Sequence, residues 1–271
     1  MIKIGEGHKS EVFLLPDGRI LKLFFPHFAE LAPEEAEIAA MLSHADVQAP
    51  RVDEVREVDG RPGLVFGNLK VGKTISDAVR EKPWQIVGAA RELAAMHASV
   101  HACTSDELPS QRERIALEIE TGNGLDADVK NLALQRLNEL PDGNTVCHND
   151  IHMLNVIVSP GNSMIIDWML ATRGNPLADI ASAVLQLRYG ELPRGLIARS
   201  ALEMGRGVFW RVYLKTYLNI RPAPPEELKR WELPVAVALA GRREGKMRSQ
   251  LLQRIDSLLS TSSNQSADLQ A

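Results

Sequence analysis

Two apolar runs, Glu11-Val12-Phe13-Leu14-Leu15 and Ile20-Leu21-Lys22-Leu23-Phe24-Phe25, stand either side of the short spacer Pro16-Asp17-Gly18-Arg19. So short a connection joins strands as an antiparallel hairpin, because a parallel pair needs a crossover of a dozen or more residues. A second such unit follows, with residues 51–66 reading as two strands around Asp59-Gly60. Between the two units, Pro33-Glu34-Glu35 opens a helix running to about His44. Proline suits the first helical turn, and acids suit the positive end of the helix dipole. This beginning argues against a doubly wound parallel sheet.

From about Ser76 the chain turns helical, with apolar residues at helical spacing from Pro83 to Ala102 and in several later segments. One strand pair interrupts the helices: Asn155 to Val158, a Ser-Pro-Gly-Asn turn, then Met164 to Asp167. The C-terminal stretch is small and polar and reads as disordered. The expectation is an α+β, bilobal protein with a small antiparallel-sheet lobe, a linker near 67–75, and a larger, mostly helical lobe.

The segment from Cys147 to Trp168 carries the chemistry. It holds His148, Asp150 and Asn155, then Asp167 at the end of an apolar strand. His-x-Asp-x-x-x-x-Asn followed by a strand ending in Asp is the kinase catalytic loop with its metal strand. Phosphoryl transfer asks for positioning and charge neutralisation more than covalent help. Asp150 would accept or orient the attacking hydroxyl's proton. Asn155 and Asp167 would hold Mg2+, a hard cation that takes oxygen ligands.

Upstream parts come in the matching order. Gly5 and Gly7, with Ser10 close behind, precede the first hairpin strand, where glycines let backbone N–H groups approach phosphates. Lys22 interrupts an apolar strand, and a buried unpaired ammonium is costly. Glu35 is its preferred partner over Glu34 and Glu37, since it shares a helix face with Leu42. The pair would set Lys22 against the α- and β-phosphates.

These residues together resemble the aminoglycoside phosphotransferase and choline kinase-like family, relatives of the protein kinases. That family shows His-Gly-Asp-Leu-His-Pro-Gly-Asn, then Ile-Asp-Trp or Ile-Asp-Phe, then Gly-Asp-Pro…Asp. Here the chain reads His148-Asn149-Asp150-Ile151-His152-Met153-Leu154-Asn155, then Ile166-Asp167-Trp168, then Gly174-Asn175-Pro176-Leu177-Ala178-Asp179. Asn149, Met153 and Leu154 replace Gly, Pro and Gly, and Asn175 replaces Asp. The resemblance covers about residues 4–250. It implies a protein-kinase-like fold with a nucleotide-binding lobe at 1–68, a catalytic and acceptor-binding lobe at 69–255, and a disordered tail at 256–271. It implies an ATP-dependent kinase, with GTP as the alternative donor, acting on a hydroxyl of an aminoglycoside-, choline- or amino-sugar-like acceptor; the alternative is a catalytically weak, nucleotide-binding relative. In it, backbone groups near Phe66, Asn68 and Leu69 would meet the adenine edge.

A rival motif stands at Gly67-Asn68-Leu69-Lys70-Val71-Gly72-Lys73-Thr74, which fits the phosphate-loop pattern Gly-x4-Gly-Lys-Thr. Leu69, Lys70 and Val71 are bulky for a backbone that wraps a phosphate, and that loop needs a parallel sheet. The stretch reads instead as the inter-lobe linker, with Thr74 or Ser76 capping the next helix. Cys147, His148, Asp150 and His152 lack structural zinc spacing. His97 and His101 share a helix face but read as core-edge or solvent residues. Asp179 reads as a brace and Trp168 as packing. Arg242-Arg243 reads as a solvated face.

The chain has 271 residues, 45% of them hydrophobic, and a net charge of −4. There is no basic footprint for nucleic acid. No signal segment and no apolar run near the ~20 residues of a bilayer span appear. Two cysteines, Cys103 and Cys147, lack framework spacing. A cytoplasmic setting is the expectation.

Overall fold

The computed structural model describes residues 1–67, 69, 71–159, 163–190 and 199–268, the side chains of 199–202 and 261–268 excepted. Strands β1 (Ile2–Glu6), β2 (Ser10–Leu14), β3 (Ile20–Phe24), β4 (Val52–Val58) and β5 (Arg61–Phe66) form one sheet in the order β1-β2-β3-β5-β4, with every pairing antiparallel. Both hairpins of the sequence reading are present. Helix α1 (Leu31–His44) lies against the sheet and buries Ala32, Glu35, Ile38 and Leu42, which recur at helical spacing. Central strand β3 is buried at Ile20, Leu21, Leu23 and Phe24, and Lys22 is the half-buried exception.

The linker then passes into β6 (Lys73–Thr74) and helix α2 (Ile75–Glu81). The Thr74 hydroxyl caps α2 by accepting the Asp77 N–H at 3.0 Å. Lys73 Nζ lies 2.7 Å from Glu81 Oε2 on the surface of the same helix. At Gly72 an added Cβ would lie 2.5 Å from Ile157 Cγ2, so the glycine permits the chain to pass against the neighbouring strand. The strand before this stretch, β5, is antiparallel on both sides. The phosphate-loop look-alike therefore has the wrong sheet behind it, and its lysine is tied to an exposed glutamate.

The remainder is built on helices α3 (Ile86–Val100), α4 (Gln111–Thr121), α5 (Ala127–Asn138), α6 (Pro176–Tyr189), α7 (Arg199–Ile220), α8 (Pro225–Arg242) and α9 (Gly245–Asp268). Short strands β7 (Thr145–Cys147), β8 (Val156–Val158), β9 (Met164–Ile165) and β10 (Thr172–Gly174) lie between α5 and α6. β8 pairs with β6 on one side and β9 on the other, and β7 pairs with β10. Two apolar cores fill this lobe, one including Leu93, Ile151, Ile180 and Tyr213, the other Ile119, Leu137, Trp231 and Leu251. A third joins Ile20, Phe24, Leu64 and Phe66 of the sheet to Met169 of the helical part. The protein is thus α+β and bilobal.

One expectation fails. Residues 256–268, read as a disordered tail, continue α9. Leu251 and Ile255 are buried and Leu259 packs beside them, so the apolar spacing of the helix runs into the polar stretch and carries it. Both cysteines are free thiols. Among the described residues no helix is long and apolar enough to cross a membrane.

Candidate active site

The loop from β7 to β8 is held open by one buried carboxylate. Asp179, in the first turn of α6, is fully buried. Its Oδ2 accepts the His148 N–H at 2.5 Å and its Oδ1 accepts the Asn149 N–H at 2.9 Å. His97 and His101 Nε2 approach Oδ2 at 3.1 and 3.3 Å, and their Nδ1 atoms each meet a tyrosine hydroxyl, Tyr213 and Tyr217, at 2.6 Å. Burial would raise the Asp179 pKa, but the two imidazoles outweigh it and hold the carboxyl well below its ordinary value. His101 is pushed down to about 4, by burial first and by His97 second. Both histidines lie inside the helical core, so their reading as core-edge or solvent residues is corrected. Sequence alone hid the tyrosines that satisfy their outer nitrogens.

The departures in the loop have local reasons. Asn149 sits at φ 62°, the left-handed region that Gly enters freely and that Asn tolerates best among the rest. Its side chain donates to Leu170 O at 2.9 Å and Thr172 Oγ1 at 2.8 Å, and accepts from Gln111 Nε2 at 2.9 Å. Asn175 caps α6 by accepting the Leu177 N–H at 2.9 Å, a role Asn and Asp fill equally well. The buried His148 ring accepts from the Asp150 N–H at 3.3 Å and meets Ile166 O at 3.1 Å, bridging the loop to the strand beyond it. The Trp168 ring lies tilted against it, with centroids 4.6 Å apart, and its Nε1 donates to Ile165 O.

Asp150 therefore emerges from a rigid loop. Asn155 Nδ2 donates to Asp150 O at 3.0 Å and lies 3.4 Å from Oδ2. Arg243 Nη2 bonds Asp150 Oδ1 at 2.6 Å, and His152 Nε2 is 3.7 Å from Oδ2. Burial alone would raise the Asp150 pKa; His152, Arg243 and Arg242 hold it far below the usual carboxylate range. Arg242 and Arg243 were read as a solvated face. They instead turn inward, because α8 ends at Arg242 and Arg243 is extended at φ −106°, ψ 158°.

Across the cleft, Lys22 Nζ lies 2.6 Å from Glu35 Oε2 and 3.2 Å from Asp167 Oδ1. Glu34 and Glu37 point to solvent. Asp167 lies two residues beyond the end of β9, is held at φ 64°, and its carboxylate is exposed. Gly5 lies in β1 and Gly7 in the turn to β2, where Gly7 N–H bonds Ser10 O at 2.8 Å. Ser10 is buried, Phe66 ends β5, and Leu69 packs against the sheet's apolar cluster. Asn68 lies outside the described residues.

A family model described as the phosphotransferase enzyme family matches residues 1–212. The chain belongs to that family. Solved structures agree on the fold of this phosphotransferase. A thermostable mutant of aminoglycoside phosphotransferase APH(4)-Ia, in a ternary complex with AMP-PNP and hygromycin B, superposes with a TM-score of 0.64 at 15% identity, over 96% of this chain and 92% of that one. Choline kinase from Cryptosporidium parvum Iowa II gives 0.56 at 16% identity, over 97% and 88%. Amicoumacin kinase hAmiN, with AMP-PNP and Ca2+, gives 0.58 at 16% identity, over 93% and 85%. Among curated proteins no sequence matches the phosphotransferase significantly.

Proposed function

We propose that the protein is an ATP-dependent small-molecule kinase that transfers the γ-phosphate to a hydroxyl of its acceptor. One observation carries the reading: Lys22 of the sheet lobe reaches both Glu35 and Asp167, the latter from the helical lobe, so a single cation bridges the two lobes. Neighbours solved with AMP-PNP support a nucleotide in that cleft, and ATP is the donor proposed, with GTP as the alternative.

Asp150 takes the catalytic role. It orients the acceptor hydroxyl, or accepts its proton, as that oxygen attacks the γ-phosphorus and the bond to the β-phosphate oxygen breaks. Its depressed pKa keeps it ionised, hence fit to orient the hydroxyl. Lys22, fixed by Glu35, neutralises the α- and β-phosphates. Gly5 and Gly7 support a phosphate-covering turn: an added Cβ would meet nothing nearer than 3.7 and 3.9 Å, so nothing in the described chain demands glycine there. Close approach of a phosphate to the backbone would. Ser10 closes that turn, and Phe66 and Leu69 present backbone to the base.

Asn155 and Asp167 fit Mg2+ by donor chemistry. Both offer oxygens, and the Asn155 amide nitrogen is spent on Asp150, leaving its oxygen as the atom that would ligate. The ion would neutralise charge on the transferred phosphoryl. The setting proposed is cytoplasmic, the lobes those of 1–68 and 69–255, and the acceptor a small hydroxyl compound. The test is magnesium-dependent ADP release over a hydroxyl-compound panel, with Asp150→Ala and Asp167→Ala beside the parent protein. Both changes should cut turnover at least a hundredfold, in the range of lost general-base catalysis. Unchanged turnover in either one refutes its assigned role.

A further inference from the structure

The acceptor side of Asp150 is cationic. Arg243 Nη2 bonds both Asp150 Oδ1 and Gln186 Oε1 at 2.6 Å. Arg242, next to it, bonds Asn149 O at 3.1 Å through Nη2. Behind them Arg114 Nε lies 3.2 Å from Glu118 Oε1, and Arg242 Nε is 3.6 Å from the other oxygen of the same glutamate. Three guanidinium groups thus share two carboxylates, Glu118 and Asp150, and His152 adds a fourth nitrogen base at 3.7 Å from Asp150. Among the described residues, Asp150 is the carboxylate paired with Arg243, and the buried Nε atoms of Arg242 and Arg243 have no hydrogen-bond partner. Both Nε atoms are enclosed by protein and Arg242 Nε faces Glu118, so a ligand would meet the exposed part of the Arg243 side chain.

This pattern suits one charge class. A guanidinium meets carboxylate and phosphate oxygens with planar, directed donors. An ammonium-bearing acceptor would have to place its charge beside Arg243 to bring a hydroxyl to Asp150. Resting on the kinase reading above, we propose that Arg243, backed by Arg242, is the specificity determinant of the acceptor pocket, and that the acceptor carries an oxyanion, carboxylate or phosphate, near the hydroxyl that is phosphorylated. The choline- and aminoglycoside-like classes suggested by the sequence are then disfavoured by charge.

Matched compounds test this. Glycerol, glycerate, glycerol 3-phosphate and 3-amino-1,2-propanediol share one scaffold. Glucose, gluconate, glucose 6-phosphate and glucosamine share another. Each is titrated calorimetrically into the full-length protein loaded with Mg2+ and AMP-PNP, and each is assayed for ADP release with ATP. In at least one set, an oxyanion member should bind at least tenfold tighter than its neutral and amine counterparts, and the carboxylate and phosphate arms show which anion is preferred. Arg243→Met should erase that preference, and Arg243→Lys, which keeps a cation, should retain part of it. Equal binding across charge classes, tighter binding of the amines, no binding of any member, or a preference that survives Arg243→Met would overturn the proposal. A protein that fails to bind AMP-PNP at all sinks the kinase reading, and this inference with it. Binding of AMP-PNP and transfer to an amine acceptor sinks this inference alone.

Discussion

Lys22 Nζ lies 2.6 Å from Glu35 Oε2, closing a sheet-to-helix ion pair between residues 13 apart in the chain. Burial would lower the Lys22 pKa, but Glu35 and Asp167 more than offset it, so the ammonium stays charged. Glu35→Gln keeps the shape and removes the charge. Lys22 is then left to Asp167 and drawn off the line it holds between the two carboxylates. A hydrogen bond to a charged group is worth about 1.5–3 kcal/mol, so the KM for ATP should rise roughly ten- to a hundredfold. Steady-state kinetics at saturating acceptor checks this. An unchanged KM in a variant of normal melting temperature would show that the pair does not position the lysine for nucleotide.

Asn149 supplies a second prediction, because its backbone and its side chain are separable. Asn149→Gly keeps the left-handed backbone at no steric cost and deletes the bonds to Leu170, Thr172 and Gln111. Asn149→Ala deletes the same bonds and adds the cost of an L side chain at φ 62°. Both variants should be less stable than the parent, and the alanine variant less stable than the glycine one by about 1 kcal/mol. Urea unfolding measures the difference; an alanine variant as stable as the glycine one would mean the loop relaxes out of the left-handed region.

Asp179→Asn tests the brace. The amide keeps one oxygen, so it cannot accept the two loop N–H groups and both imidazoles together. Removing one partner from a buried charged network costs roughly 3 kcal/mol. The expected result is a lower denaturation midpoint and a drop in turnover, with Asp150 itself intact. Retained stability would assign the loop's shape to Asn149 and His148 instead.

Much of this was legible in the sequence wherever spacing along the chain reports spacing in space. The four-residue gap at Pro16–Arg19 fixed an antiparallel pair, and Glu35 met Lys22 because seven residues separate it from Leu42 on one helix face. The Lys73 look-alike failed for the same reason: its motif is local, and the sheet it needs is absent from its flanks. What stayed hidden depended on partners far away in the chain. His97 and His101 read as core-edge or solvent residues because the tyrosines that bury them, Tyr213 and Tyr217 of α7, stand more than a hundred residues later. Arg242 and Arg243 carry no periodic signal, and their inward turn is set by where α8 stops. The helical end of the chain was missed because serine-rich composition outweighed the sparse leucines that anchor it.

The buried histidines give a pH dependence whose sign can be worked out. His101 is lowered from 6.5 to about 4, and His148 is lowered as well, in both cases chiefly by burial. In the unfolded chain each imidazole takes up a proton near its ordinary pKa, while in the folded protein it stays neutral to lower pH. The unfolded state therefore binds more protons in that window, and stability rises with pH across it. It should be full above about pH 6.5 and fall as the pH drops towards 4. His101 accounts for about 3 kcal/mol of the loss, at about 1.4 kcal/mol per pH unit. Urea midpoints at pH 7.5, 6 and 5 read this directly, and His101→Gln should flatten part of the slope. If the midpoint at pH 5 equals that at pH 7.5, then His101 is protonated inside the folded core, ion-paired with Asp179, and the neutral assignment is wrong.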